Sequence, residues 1–185
     1  MILIFCAPSG SGKSTFVKYL LTHYNNFELS ISATSRKPRG TEQDGVEYYF
    51  ITADEFRRLI EEDKLVEYQE VYANHFYGTL RSEIERIQGK GNHVLFDVDV
   101  KGGLNLKKIF GKQAIAIFIQ PPSIDELRRR LEGRGTDSKE MIEQRLAKAS
   151  IEMEDAPYFD HIIINDNLET ALGDLESLLK QYKLI

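Results

Sequence analysis

The sequence predicts an α/β fold: a parallel sheet covered by helices on both faces, with an inserted α+β lobe and a small lid. Three observations carry this reading. Short, continuous apolar runs alternate with helical periodicities along most of the chain. Between Arg36 and about Tyr77 the alternation gives way to shorter strand-like runs around one helix. At Gly133-Arg134-Gly135-Thr136-Asp137 a polar, glycine-flanked break separates two helices, where a lid could hinge.

Ile2-Leu3-Ile4-Phe5-Cys6 is an apolar run that stops at a Pro/Gly/Ser cluster, as a buried parallel strand should. A helix follows from about Lys13, with Phe16, Val17, Leu20 and Leu21 expected on one face. Phe27 to Ser32 reads as the next strand. In the inserted region, Val46–Ile51 and Leu65–Val71 are strand-like and flank a helix over 54–62, with Thr52 and Glu55 as its capping box.

His93–Val98 and Ala114–Ile119 are two further buried strands, each followed by a helix signal. Pro121-Pro122 ends the second, and Ser123 with Glu126 caps a helix through Leu131. Ser138 to Met153 reads as a helix with Ile142, Leu146, Ala149 and Met153 on one face. His161–Ile164 is the last strand. The final helix carries Leu168, Leu172, Leu175 and Leu179, with Asp166 and Glu169 suited to its N-terminus.

The chain has 185 residues with 42% hydrophobic and 29% charged, which excludes disordered and fibrous classes. A net charge of −5 argues against a dedicated nucleic-acid binder. Cys6 is the only cysteine, so no internal disulfide forms, and a reducing, cytoplasmic setting is expected. The apolar start, Met1 to Ala7, is too short for a membrane span. The four histidines lack metal-ligand spacing, so no structural zinc site is expected.

The strongest chemical signal is Ala7-Pro8-Ser9-Gly10-Ser11-Gly12-Lys13-Ser14-Thr15, between a buried strand and a helix. It fits the phosphate-binding loop G-x-x-x-x-G-K-[ST] at every defined position except the first, where alanine replaces glycine. Glycines let successive backbone N–H groups turn around an anion, and the helix N-terminus adds partial positive charge. Lys13 would reach the terminal phosphates of a nucleoside triphosphate, and the Ser14 hydroxyl would bind its magnesium ion. No Asn-Lys-x-Asp guanine motif accompanies the loop, which weakens a GTPase reading.

Further along come Ser32-Ala33-Thr34-Ser35-Arg36-Lys37-Pro38-Arg39-Gly40 and Gly45-Val46-Glu47-Tyr48-Tyr49-Phe50. They are followed by Glu67 to Thr79, Leu95-Phe96-Asp97-Val98-Asp99 with Gly102, and Arg130-Leu131-Glu132-Gly133-Arg134-Gly135. With the loop, these blocks closely resemble guanylate kinase, and the resemblance runs essentially the whole chain. It implies a three-layer P-loop nucleoside-monophosphate kinase fold and in-line transfer of the ATP γ-phosphoryl group to GMP, with Mg2+. Residues 1–31, 80–126 and 146–185 would form the core, 32–79 the GMP-binding lobe and 127–145 the lid.

Carried over by resemblance, Arg36, Arg39, Tyr48 and Tyr77 hold the GMP phosphate, and Ser32, Glu67 and Thr79 read the guanine. Asp99 supports the acceptor site; of Asp97 and Asp99, one is expected to serve it. Arg134 and Arg145 close over the ATP phosphates, and Asn165 lies near the adenine. The implied partners are ATP and GMP, with dGMP open as a second acceptor, and neither nucleic acid nor membrane. The segment between Glu67 and Tyr77 is one residue longer than in many members. Two other readings compete: a kinase for a different acceptor, and a non-catalytic peptide-binding module of the scaffold type. The intact Gly12-Lys13-Ser14 speaks against the second.

Arginine suits such a site because its planar fork binds phosphate oxygens bidentately and stays charged. A carboxylate such as Glu67 can accept from guanine N1–H and N2–H2 together, whereas adenine presents an acceptor at N1.

Overall fold

The computed structural model describes residues 1–135 and 137–185, and of Arg134 the backbone alone. In chain order the first elements are β1 (Ile2–Cys6), α1 (Lys13–His23), β2 (Phe27–Leu29), β3 (Ala33–Thr34) and β4 (Tyr49–Phe50). Then come α2 (Ala53–Glu61), β5 (Leu65–Tyr72), β6 (His75–Leu80), α3 (Arg81–Gly89), β7 (His93–Asp97) and α4 (Val100–Phe110). The last are β8 (Ala114–Gln120), α5 (Ile124–Arg134), α6 (Lys139–Glu154), β9 (His161–Ile164) and α7 (Leu168–Gln181). The chain divides into two compact units, Met1–Asn25 with Leu95–Ile185, and Asn26–Val94. Among the described residues no helix is long and apolar enough to cross a membrane.

In the first unit the strand order is β7-β1-β8-β9. β1 runs parallel to β8 from Ile2↔Ala114 to Cys6↔Phe118, and β8 parallel to β9 from Ile117↔His161 to Gln120↔Ile164. All of β1 and the first six residues of β8 are buried, which explains their unbroken apolar sequence: helices cover the sheet. α4 packs on β1 and β8, α7 on β9, and α5 against α6 through Leu127, Leu131, Ile142, Leu146 and Ala149.

The close seat of α4 depends on Gly103. A methyl group there would meet Sγ of Cys6 well inside contact distance, with Ile4 and Phe159 immediately behind. Cys6 is wholly buried in β1 and has nowhere to move. Gly103→Ala is therefore expected to cost about 1–3 kcal/mol through overpacking. At about 2–4 °C per kcal/mol for a chain of this size, thermal unfolding should register a lower Tm.

In the second unit the sheet order is β4-β3-β6-β5, with β6 antiparallel to both β3 and β5. Ala33, Phe56, Leu65 and Phe76 form its core, with the Phe56 and Phe76 rings stacked at 5.1 Å. The β5–β6 ladder has register shifts between Leu65 and Glu67 and between Glu70 and Tyr72, the second passing over Val71. Glu67 stays opposite Thr79.

Several expectations need correcting. The strand read over 27–32 ends at Leu29 and resumes as β3, because the Ile31 N–H turns to the Glu83 carboxylate, 3.1 Å away. Val46 to Ile51 yields only the two residues of β4, and Val46 is exposed. α3 was not anticipated. Leu21 and Leu168 are exposed, and in α7 the buried row is Ala171, Leu175, Leu178 and Leu179. The α7 cap is Asn167, which accepts from the Thr170 N–H at 3.0 Å. Thr52 and Ser123 cap α2 and α5 as read, each accepting from the N–H three residues on at 3.1 Å.

Candidate active site

The loop between β1 and α1 turns on Gly10 and Gly12, whose φ angles are +98° and +93°. Side chains rarely adopt such angles, so glycine is required at both. Ala7 has no positive φ, so alanine at the motif's first position carries no backbone strain. The turn is closed by Ser11 N–H to the Pro8 carbonyl at 3.1 Å, and by Thr15 N–H to that of Gly12 at 2.9 Å. Gly10 has no room for a side chain: a methyl there would stand 2.9 Å from both Leu127 and Leu131.

Inside the loop is a cavity of about 320 Å³ lined by Ala7, Pro8, Ser9, Lys13, Ser14 and Asp99 among others. The Lys13 ammonium is 2.7 Å from Asp97 and donates to the Val98 carbonyl. Asp97 ends β7, while Asp99 has left the strand to cap α4, accepting from the Gly102 N–H at 2.8 Å. The two aspartates thus differ in role: one holds the lysine, the other lines the cavity. Burial pushes the Cys6 thiol up to about 12, so this cysteine beneath the loop is inert as a nucleophile.

Arg145 on α6 donates to the Ser9 hydroxyl and lies 3.4 Å from Asp137. Lys148 and Glu152 of the same helix also line the cavity and were not singled out from sequence. The signal was available, since 145, 148 and 152 share one helical face. Arg134 is the last residue of α5, and its side chain lies outside the described residues. Asn165 is buried, with its side-chain amide donating to the Ser11 carbonyl at 2.8 Å. Arg130 donates to the Asn165 backbone carbonyl at 2.9 Å and to Glu126. Its neighbours Arg128 and Arg129 do pair on the surface, with Glu143 and Glu126.

In the second unit Arg36, Tyr48 and Tyr77 come together. Arg36 is 8% exposed, donates from Nε to the Tyr77 hydroxyl at 3.0 Å and lies 5.0 Å from the centre of the Tyr48 ring. Both its terminal nitrogens donate to Glu42, each at 2.7 Å, an acidic partner that sequence reading passed over. Glu42 also accepts from the backbone N–H of Arg39, whose residue is exposed. Thr79 donates to the Glu67 carboxylate at 2.8 Å across the β5–β6 ladder. Ser32 is half-buried and its carbonyl accepts from the Tyr49 N–H at 2.9 Å. Next to it, Glu83 is buried and accepts from Ile31 N–H, the Tyr49 hydroxyl and Arg86. Burial pushes the Glu83 carboxyl up, but those partners, Arg86 foremost, pull it below the usual range.

The Arg36 guanidinium, aided by the Arg39 N–H, holds the Glu42 carboxyl at about 2 against an ordinary 4.5. A lowered folded-state value means the pair's contribution is complete above 4.5 and disappears as pH falls toward 2. The wild-type Tm should therefore drop more steeply than that of Glu42→Gln across that window, as acid titration of the two melting curves would show.

A phosphate loop at the head of a helix-flanked parallel sheet, in a chain that also carries a smaller α+β unit, defines a P-loop phosphotransferase of the nucleoside-monophosphate kinase class. The family described as guanylate kinase matches residues 1–182. A guanylate kinase of Bacteroides fragilis is 55% identical over 98% of this chain and 89% of its own length. One of Porphyromonas gingivalis is 52% identical over 98% and 97%. The crystal structure of guanylate kinase from Anaplasma phagocytophilum superposes with a TM-score of 0.72 at 30% identity, covering 100% of this chain and 87% of that one. The chain belongs to the guanylate kinase family, enzymes that phosphorylate GMP.

Proposed function

We propose that the Ala7–Thr15 loop holds the ATP triphosphate and that Arg36, Arg39, Tyr48 and Tyr77 hold the phosphate of GMP. The observation that carries this reading is the loop itself: two positive-φ glycines turning backbone around a cavity that Lys13 and Ser14 line. Residues 32–79 then serve as the acceptor lobe and 127–145, with Arg134 and Arg145, as the lid. Ser32, Glu67 and Thr79 select guanine. A cytoplasmic setting is in keeping with the single, buried, free thiol.

The acceptor phosphate is already an anionic nucleophile, so no general base is needed. One of its oxygens attacks the γ-phosphorus in line; the bond from that phosphorus to the β–γ bridging oxygen breaks, and ADP leaves with its electron pair. No covalent enzyme intermediate forms. The work left to the protein is to align two mutually repelling anions and neutralise charge on the group in flight. Lys13 and Arg145 do this from the donor side, Arg36 and Arg39 from the acceptor side. Closing the lid excludes water that would hydrolyse ATP.

The donor set fits a magnesium ion that arrives with the triphosphate. Ser14 and Asp99 offer hard oxygen atoms to one cavity, while no group of three or more acidic, histidine or cysteine side chains among the described residues could hold a metal alone. When bound, magnesium supplies charge neutralisation on the phosphates. Ser14 would hold it.

The test is ADP formation from MgATP with GMP, AMP, CMP and UMP offered separately. Turnover with GMP alone is expected. Turnover with another acceptor instead would keep the loop's assignment and overturn that of Glu67.

A further inference from the structure

Asn165 comes from the end of the last strand, and its side chain could serve either a bound base or the protein. The contacts decide between them. Its backbone is pinned twice, by its N–H to the Gln120 carbonyl at 2.8 Å and by its carbonyl to Arg130 at 2.9 Å. Arg130 is itself held by Glu126 at 2.9 Å. The position of the side chain is therefore set by the fold before any nucleotide binds. From it Nδ2 donates to the Ser11 carbonyl at 2.8 Å, with Asn165 6% exposed and Ser11 fully buried. A carbonyl opposite demands a donor, so the amide's orientation is fixed.

The contact falls at the centre of the phosphate loop. Ser11 lies between the two positive-φ glycines, and a methyl on Gly12 would come within 2.5 Å of the same Nδ2. The Asn165 amide thus occupies the space that the absent Gly12 side chain leaves. It ties down the Ser11–Gly12 peptide and with it the direction in which the Gly12 N–H points.

We propose that Asn165 is a positioning residue for the phosphate loop, acting through the Ser11 carbonyl on triphosphate affinity rather than reading the nucleotide base. The inference rests on the loop's assignment to the triphosphate. It separates cleanly from a base-reading role, because a base contact would be felt only by nucleotides and a loop contact by any ligand with the same phosphates.

The experiment compares wild type with Asn165→Ala for binding of ATP, GTP and inorganic tripolyphosphate, each with magnesium, by calorimetry. Loss of one buried hydrogen bond predicts about a tenfold weakening, equal for all three ligands, with GMP affinity unchanged. Unchanged tripolyphosphate affinity beside weakened ATP would overturn the proposal in favour of base reading. A wild-type protein that binds no tripolyphosphate would overturn the loop's assignment and this inference with it.

Hydrogen exchange on the unliganded protein gives a second readout. Amides from Ser9 to Lys13 should exchange faster in the variant while those of β1 keep their protection; equal rates in the loop would sink the idea. Should alanine prevent folding, Asn165→Asp removes the same donor at constant shape, and the exchange measurement reads it free of any repulsion between the added charge and phosphate.

Discussion

Lys13→Ala is expected to lower kcat by about 10²–10³-fold or more, the loss seen when a charge-stabilising donor is removed from a transition state. Its Nζ is the one ammonium in the loop's motif, and in the structure it is held ready by Asp97 at 2.7 Å and by the Val98 carbonyl. The side chain is partly exposed, so its ion pair contributes no more than about 1 kcal/mol and the variant should melt close to wild type. Activity and stability therefore part company, which a denatured protein could not mimic. KM for GMP should stay within about twofold, since the lysine acts on the donor side. An unchanged kcat would remove the loop from the mechanism.

Glu67→Gln is expected to lower kcat/KM for GMP by about 10²-fold or more while leaving KM for ATP unchanged. The amide keeps one acceptor but sets an NH2 against a guanine donor, so one hydrogen bond is lost and its partner left facing like polarity. Thr79 makes the prediction sharper. Its hydroxyl donates to Glu67 at 2.8 Å from the facing position on β6, which fixes where the carboxylate points. Thr79→Val should cost about tenfold in the same parameter, the usual worth of one such bond. If Glu67→Gln used GMP as well as wild type, the guanine assignment would be wrong.

What could be read in the sequence was what is local. The phosphate loop is a linear motif whose strand, turn and helix are contiguous, and β1 and the first six residues of β8 announce burial on both faces by their unbroken apolar sequence. Thr52 and Ser123 cap their helices through bonds that span three residues. The parts missed depend on partners distant in sequence. Glu83 is an acid at a buried position in α3, made tolerable by Ile31, Tyr49 and Arg86. The carbonyl that Arg130 serves lies 35 residues on, beyond the reach of any local pattern. Glu42 carries no periodicity to mark it, yet it takes both terminal nitrogens of Arg36. Leu21 and Leu168 were placed inside by helical spacing, which gives the direction of a stripe but not the extent of the surface that covers it.

Gly10 leaves a bare backbone against Leu127 and Leu131, the same leucines that join α5 to α6. The floor of the loop at Gly10 is therefore made of ordinary apolar packing. Loop and helix pair cannot then vary independently. A change of one methyl group at Leu127 or Leu131 is expected to reach the loop as well as the helix pair, and so to surface in a screen as a nucleotide-binding defect. Paired with a change at Gly10, its effects would fail to add. The freedom usual for a hydrophobic core thus stops where α5 meets the turn.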